Sequence, residues 1–150
     1  MNSELNELYQ QVILDHNKNP RNFRKIEEPT HHSEGLNPLC GDHLHIYLII
    51  ENERVADIAF QGNGCAISKS SASIMTEVLK GKPVKEAEEK FKEFHDLITG
   101  HITDEDQIEA MGKLAVFKGI SEFPVRVKCA SLAWHTMNAA VHQKDTVSTE

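Results

Sequence analysis

The sequence contains no Cys-x-x-Cys pair, no apolar run approaching the length of a membrane span, no internal repeat and no low-complexity segment. Its three cysteines, at 40, 65 and 129, are too far apart for a zinc-finger knuckle, and an odd number does not suit a disulfide framework. Positive charge is also short: 16 Lys and Arg face 23 Asp and Glu, for a net charge of −7. That balance argues against a general binder of nucleic acid or of anionic membranes. Residues 1–8 are acidic and amphipathic, unlike a signal or transit peptide, so the cytoplasm is the expected location. The serines at 68, 70, 71 and 73 lack the Gly-Lys-Ser/Thr ending of a phosphate loop. Nine histidines are present but scattered, and for each a solvated or packed side chain is the default reading. His43 is singled out only because it directly follows Asp42.

What is present suits one domain over residues 1–150, with 39% hydrophobic residues to build a core. Leu5, Leu8, Tyr9, Val12 and Ile13 form a helical stripe that must end before Pro20. Residues 20–42 are rich in proline and glycine and read as loop, with one short strand near 30–34. Alternating runs at 44–50 and 55–61 flank a tight turn and predict a hairpin. Helical spacing follows from Ala66 to Gly81, again from Pro83 to Gly100, and over 104–115. Val125-Arg126-Val127-Lys128 reads as extended and leads through Cys129 into a last helix from Ala130 to about His142. The tail, 144–150, is expected to be loose. The sum is an α+β fold, a small antiparallel sheet packed on one side by helices.

The chemistry gathers at the cysteines. In Gly62-Asn63-Gly64-Cys65 two glycines permit a tight turn at the end of a strand, and Cys65 opens a helix whose positive end favours thiolate over thiol. Cys129 is expected at a second extended-to-helix junction with the same electrostatics. Cys40 and Asp42, two residues apart, would point the same way in an extended segment. If the strand ends converge, Cys40, Asp42, Cys65 and Cys129 supply three sulfurs and one oxygen, enough for a tetrahedral metal site. Thiolates select zinc, copper(I) or iron-sulfur units over harder ions. Their charge exceeds that of a divalent ion, so a nearby cation such as Arg126 or Lys128 is useful.

Three segments together resemble the U-type proteins of iron-sulfur cluster assembly, the family of IscU, SufU and the N-terminal domain of NifU. They are Asn37-Pro38-Leu39-Cys40-Gly41-Asp42, Gly62-Asn63-Gly64-Cys65-Ala66-Ile67-Ser68 with Ala72-Ser73, and Phe123-Pro124-Val125-Arg126-Val127-Lys128-Cys129. The resemblance runs from Leu8-Tyr9 to the last helix. It is closer to the SufU branch, because Lys128 stands where the scaffold branch has histidine and no clear Leu-Pro-Pro-Val-Lys stretch is present. The resemblance implies zinc bound through Cys40, Asp42, Cys65 and Cys129, and persulfide sulfur accepted from a SufS-like, pyridoxal-phosphate cysteine desulfurase. Cys40 would be the acceptor, and downstream cluster-assembly proteins would be further partners. Arg126 is expected to balance or pair with Asp42 when that ligand leaves. The alternative is a scaffold that holds iron as a [2Fe-2S] cluster on Cys40, Cys65 and Cys129. A domain with structural zinc that only binds partners is a third reading.

Overall fold

The computed structural model describes residues 3–149, and the side chains of residues 3–5, including Leu5 of the first helical stripe, lie outside what is described. The chain runs α1 (Ser3–Lys18), β1 (His31–Asn37), β2 (Asp42–Glu51), β3 (Arg54–Asn63), α2 (Ala66–Leu79), α3 (Val84–Ile98), α4 (Glu105–Ala110), a 3₁₀ segment (Gly112–Glu122), α5 (Pro124–Val141) and β4 (Thr146–Ser148). The sheet order is β3-β2-β1-β4. β2 and β3 form the expected hairpin, and its turn holds Asn52 and Glu53 at φ of 52° and 62°. Two consecutive positive φ values define the turn whose twist matches that of antiparallel strands.

Alternation along β2 decides which face is which. Leu44, Ile46 and Leu48 are fully buried and share one core cluster with α2, α3, the 3₁₀ segment and α5. His43, His45, Tyr47 and Ile49 point to the other face, which is only partly covered, by Ile26 of the loop that follows α1. Among the helices, Trp134 of α5 stacks on Phe94 of α3 with ring centroids 4.7 Å apart, and Phe117 meets Phe94 edge-on at 5.5 Å. The serines of α2 are buried, and two bond to neighbouring elements: the Ser71 hydroxyl donates to the Ala130 carbonyl at 2.6 Å, and Ser73 Oγ accepts from the Arg21 N–H at 2.8 Å. Their small size lets α2 lie close against α5.

The fold departs from the sequence reading in three places. The helix expected over 104–115 stops at Ala110, because Gly112 takes a left-handed φ of 63° and breaks the i to i−4 ladder; 3₁₀ turns continue instead. Val125-Arg126-Val127-Lys128 is not extended but forms the first turns of α5, which starts at Pro124. Proline fits the first helical position because its fixed φ is helical and no N–H is needed there. The tail is not loose: β4 pairs in parallel with β1, with Glu34 opposite Thr146 and Leu36 opposite Ser148. The antiparallel three-stranded sheet is thereby extended into a mixed four-stranded one.

One buried histidine makes stability sensitive to pH. His16, at the end of α1, is 2% exposed, with Nδ1 2.7 Å from Ser73 Oγ and Nε2 3.6 Å from Glu77 Oε1. Burial, then the Arg21 charge, holds its imidazole below the ordinary range despite Glu77. The unfolded chain therefore binds this proton more readily, so the stabilisation is complete above the unfolded value of about 6.5. It is lost as pH falls through the lowered folded value. The thermal midpoint should decline on acidification from about pH 7.5 to about pH 5.5, and His16→Gln should flatten part of that decline. A parallel decline in both proteins would remove His16 as a cause.

Candidate metal centre

Three strand ends and two helices, α2 and α5, meet at the thiols. β1 ends at Asn37 and β2 starts at Asp42, directly opposite each other in register. The intervening turn is closed by the N–H groups of Cys40 and Gly41, both donating to the Asn37 carbonyl at 3.2 and 2.8 Å. Cys40 thus sits at the tip of a turn, exposed. Cys40 and Asp42 converge because the turn folds Cys40 back, and not through the extended spacing expected of them.

β3 ends at Asn63, and Cys65 caps α2 with φ −71° and ψ 172°, its sulfur accepting from the Ser68 N–H at 3.4 Å. The Cys65 N–H donates to Asp42 Oδ1 at 2.9 Å. The helix start thus holds the carboxylate in place by a charge-assisted bond as well as presenting the thiol. Cys65 is half-buried, at the helix N-terminus where the sequence put it.

Cys129 is buried in the second turn of α5, so the expected parallel with Cys65 fails. Its own N–H lies beyond the unpaired first turn, where the helix field has faded. Its thiol is pushed up, first by burial, then by the neighbouring Cys40, Cys65 and Asp42 groups. The thiol donates to Cys40 Sγ at 3.4 Å. Donor atoms of Cys40, Asp42 and Cys129 all lie within 4.8 Å of one another, and Cys65 is near enough to perturb Cys129.

This donor set fits a thiophilic cation. Two sulfurs and a carboxylate lie within 4.8 Å of one another, with the Cys65 thiol alongside, and a set dominated by sulfur selects zinc-class ions over harder ones. Beside them, Asn37 Oδ1 and Ser68 Oγ are buried and have no hydrogen-bond partner among the described residues. The remaining amide hydrogens of Asn37 serve the site: Nδ2 donates to Asp42 Oδ2 at 3.3 Å and reaches Cys129 Sγ at 3.7 Å. Asn37 was quoted in the sequence motif but given no role there. Only the pairing of β1 with β2 reveals that role.

Arg126 lies one turn before Cys129 on α5, is exposed, and makes no ion pair with Asp42 among the described residues. Its side chain lines a groove of about 430 Å³ with Tyr9, Ile67 and Phe123. His43 faces away from the thiols, on the opposite side of β2 from Asp42.

The fold and site define a small α+β domain that gathers three thiols and one carboxylate at the ends of its strands. The NifU-like N-terminal domain family matches residues 8–130, and the chain belongs to that family. Over 144 residues it is 38% identical to the zinc-dependent sulfurtransferase SufU of Bacillus subtilis, covering 96% of both chains. It is 33% identical to the iron-sulfur cluster assembly scaffold protein IscU of Streptococcus pyogenes over 93% of this chain and 86% of that one. A crystal structure from Fervidobacterium islandicum, described as an iron-sulfur cluster assembly scaffold protein for the SUF system, superposes with a TM-score of 0.81. It is 33% identical, and the match covers 90% of this chain and 97% of that one. The expected resemblance and the α+β fold are both borne out. No helix among the described residues is long and apolar enough to cross a membrane.

Proposed function

We propose that this protein takes part in iron-sulfur cluster biogenesis by accepting persulfide sulfur from a SufS-like cysteine desulfurase through Cys40. Zinc would be held by Cys40, Asp42, Cys65 and Cys129. The observation that carries this reading is the gradient of exposure across the thiols: Cys40 is open, Cys65 half-buried and Cys129 buried. A partner's sulfur can therefore reach one of the three. In the transfer, the Cys40 thiolate attacks the outer sulfur of the desulfurase persulfide; a new S–S bond forms on Cys40, the old one breaks, and the desulfurase cysteine leaves as thiolate. Zinc bound here would supply positive charge that keeps the thiols ionised. Asp42, held by the Cys65 N–H and Asn37, is the exchangeable oxygen donor beside the sulfurs. Arg126 is assigned to neutralise Asp42 when the carboxylate leaves its partners, which requires its side chain to swing from the groove.

Protein purified without added metal should carry ~1 tightly held zinc per chain and should accelerate a SufS-like desulfurase many-fold. Zinc-free protein, or no acceleration, would overturn the reading, and a wild-type rate for Arg126→Ala would remove Arg126 from it. The names of the IscU relatives favour a second reading, a scaffold for a [2Fe-2S] cluster. Anaerobic reconstitution separates the two, since a scaffold would emerge coloured and pass its cluster to an apo-acceptor.

A further inference from the structure

A second group of ligating side chains lies on the open face of the sheet, on the opposite side of β2 from the thiols. Glu34 of β1 stands opposite His45 of β2 in register, and His43 lies two residues along β2 on the same face. Glu34 Oε2 contacts His43 Nε2 directly and is 3.8 Å from His45 Nε2. All three ligand atoms lie within 4.8 Å of one another, and all three residues are half-buried. His32 backs the group: its Nε2 is 3.2 Å from His45 Nδ1, and its ring stacks on those of His45 and Tyr47 at 5.4 and 4.9 Å.

We propose that Glu34, His43 and His45 form a second metal site, for a divalent ion of the zinc, nickel or copper class. Two imidazoles and one carboxylate are a borderline donor set, unsuited to calcium or magnesium. Around a tetrahedral zinc, nitrogen and oxygen ligands sit about 3.3 Å apart. Small side-chain rotations that part Glu34 from His43 and bring His45 in from 3.8 Å would reach that spacing, and water can complete the shell from the exposed side. The hydrogen bond between His32 Nε2 and His45 Nδ1 couples the tautomers of the two rings. If His45 Nδ1–H donates to His32 Nε2, the lone pair of His45 Nε2 is aimed at Glu34 and His43, the outer contact by which metal-binding imidazoles are oriented. Burial, then the neighbouring His45, lowers the pKa of His32 and so favours the neutral ring, which has one nitrogen free to accept. His31, next to it, bonds Thr30 Oγ1 at 2.8 Å instead. Because Asp42 and His43 are adjacent on one strand, the two donor groups lie on opposite faces and share no ligand, so the site does not depend on the thiols.

Zinc-loaded protein should be titrated with further Zn²⁺ while binding is followed by calorimetry and by the ¹⁵N resonances of the histidine rings. Wild type should take up one more zinc saturably, with the His43 and His45 resonances moving together. The His43→Ala/His45→Ala variant should lose this uptake, Glu34→Gln should weaken it, and His32→Phe should weaken it about 10–100-fold. All variants should keep the thermal midpoint and the alkylation behaviour of the cysteines. Absence of a second uptake in wild type, or unchanged uptake in the double variant or in Glu34→Gln, would overturn the proposal. Because ring resonances report this site alone, a chain that carried no zinc at its thiols would still test it.

Discussion

Cys40→Ala should return desulfurase turnover to the rate of the desulfurase alone, and mass spectrometry of the trapped mixture should find no chain heavier by a sulfur atom. The reason is geometric. Cys129 Sγ is only 3.4 Å away, yet it is buried. A partner's persulfide cannot reach it, so it cannot take over as the acceptor. Cys65 is half-covered, and its sulfur already accepts the Ser68 N–H. In metal-free protein the substitution itself should cost little stability, on the order of 0.5 kcal/mol or less, because Cys40 is exposed on a turn. Loss of function with an unchanged thermal midpoint of the metal-free chain is thus the expected pair of results. Acceleration that survives the substitution would sink the mechanism and favour a role in which the thiols only hold an ion.

Gly62→Ala should be among the most damaging single-methyl additions in the chain. Gly62 lies opposite Leu44 in the β2–β3 ladder at φ 135°, a region that side chains rarely adopt, and a Cβ there would lie 2.1 Å from the His43 carbonyl oxygen and 2.9 Å from Leu44 Cα. Both are backbone atoms, so relief requires β2 and β3 to part. Backbone strain and overpacking each cost roughly 1–3 kcal/mol. A loss of about 3 kcal/mol in a chain of this size lowers the thermal midpoint by roughly 6–12 °C. Gly119→Ala is the control, since a Cβ there meets nothing within 4 Å. Because the strand that would shift begins at Asp42, zinc retention should fall in the first variant and hold in the second. Equal midpoints for the two would show that the sheet tolerates the displacement.

The hairpin, α2 and the place of Cys65 were legible because each rests on local pattern: alternation over 44–50, helical spacing after Ala66, and glycines before a cysteine. What was missed depends on contacts between distant residues. Val125, Arg126, Val127 and Lys128 alternate apolar and charged as a strand would, and two of them are β-branched. Val127 nevertheless packs on the core as part of α5, which Pro124 opens. β4 is too short to carry a periodic signal and exists because β1 has a free edge. The role of Asn37 shows only in the fold, where its amide lies between Asp42 and Cys129. The grouping of three sulfurs and a carboxylate could be suspected from the motifs, but the covered position of Cys129 could not, since it follows from the helix starting six residues early, at Pro124.

β4 also bears on self-association. A strand of three residues offers an incoming chain only a brief row of backbone donors and acceptors, and short edge strands resist sheet-to-sheet joining. By occupying the flank of β1 from Glu34 to Leu36, and with Thr149 N–H bonded to the Leu36 carbonyl at 3.0 Å, the end of the chain caps the strand that leads to the Cys40 turn. A neighbouring copy is thereby denied a template on that flank, beside the exposed Cys40.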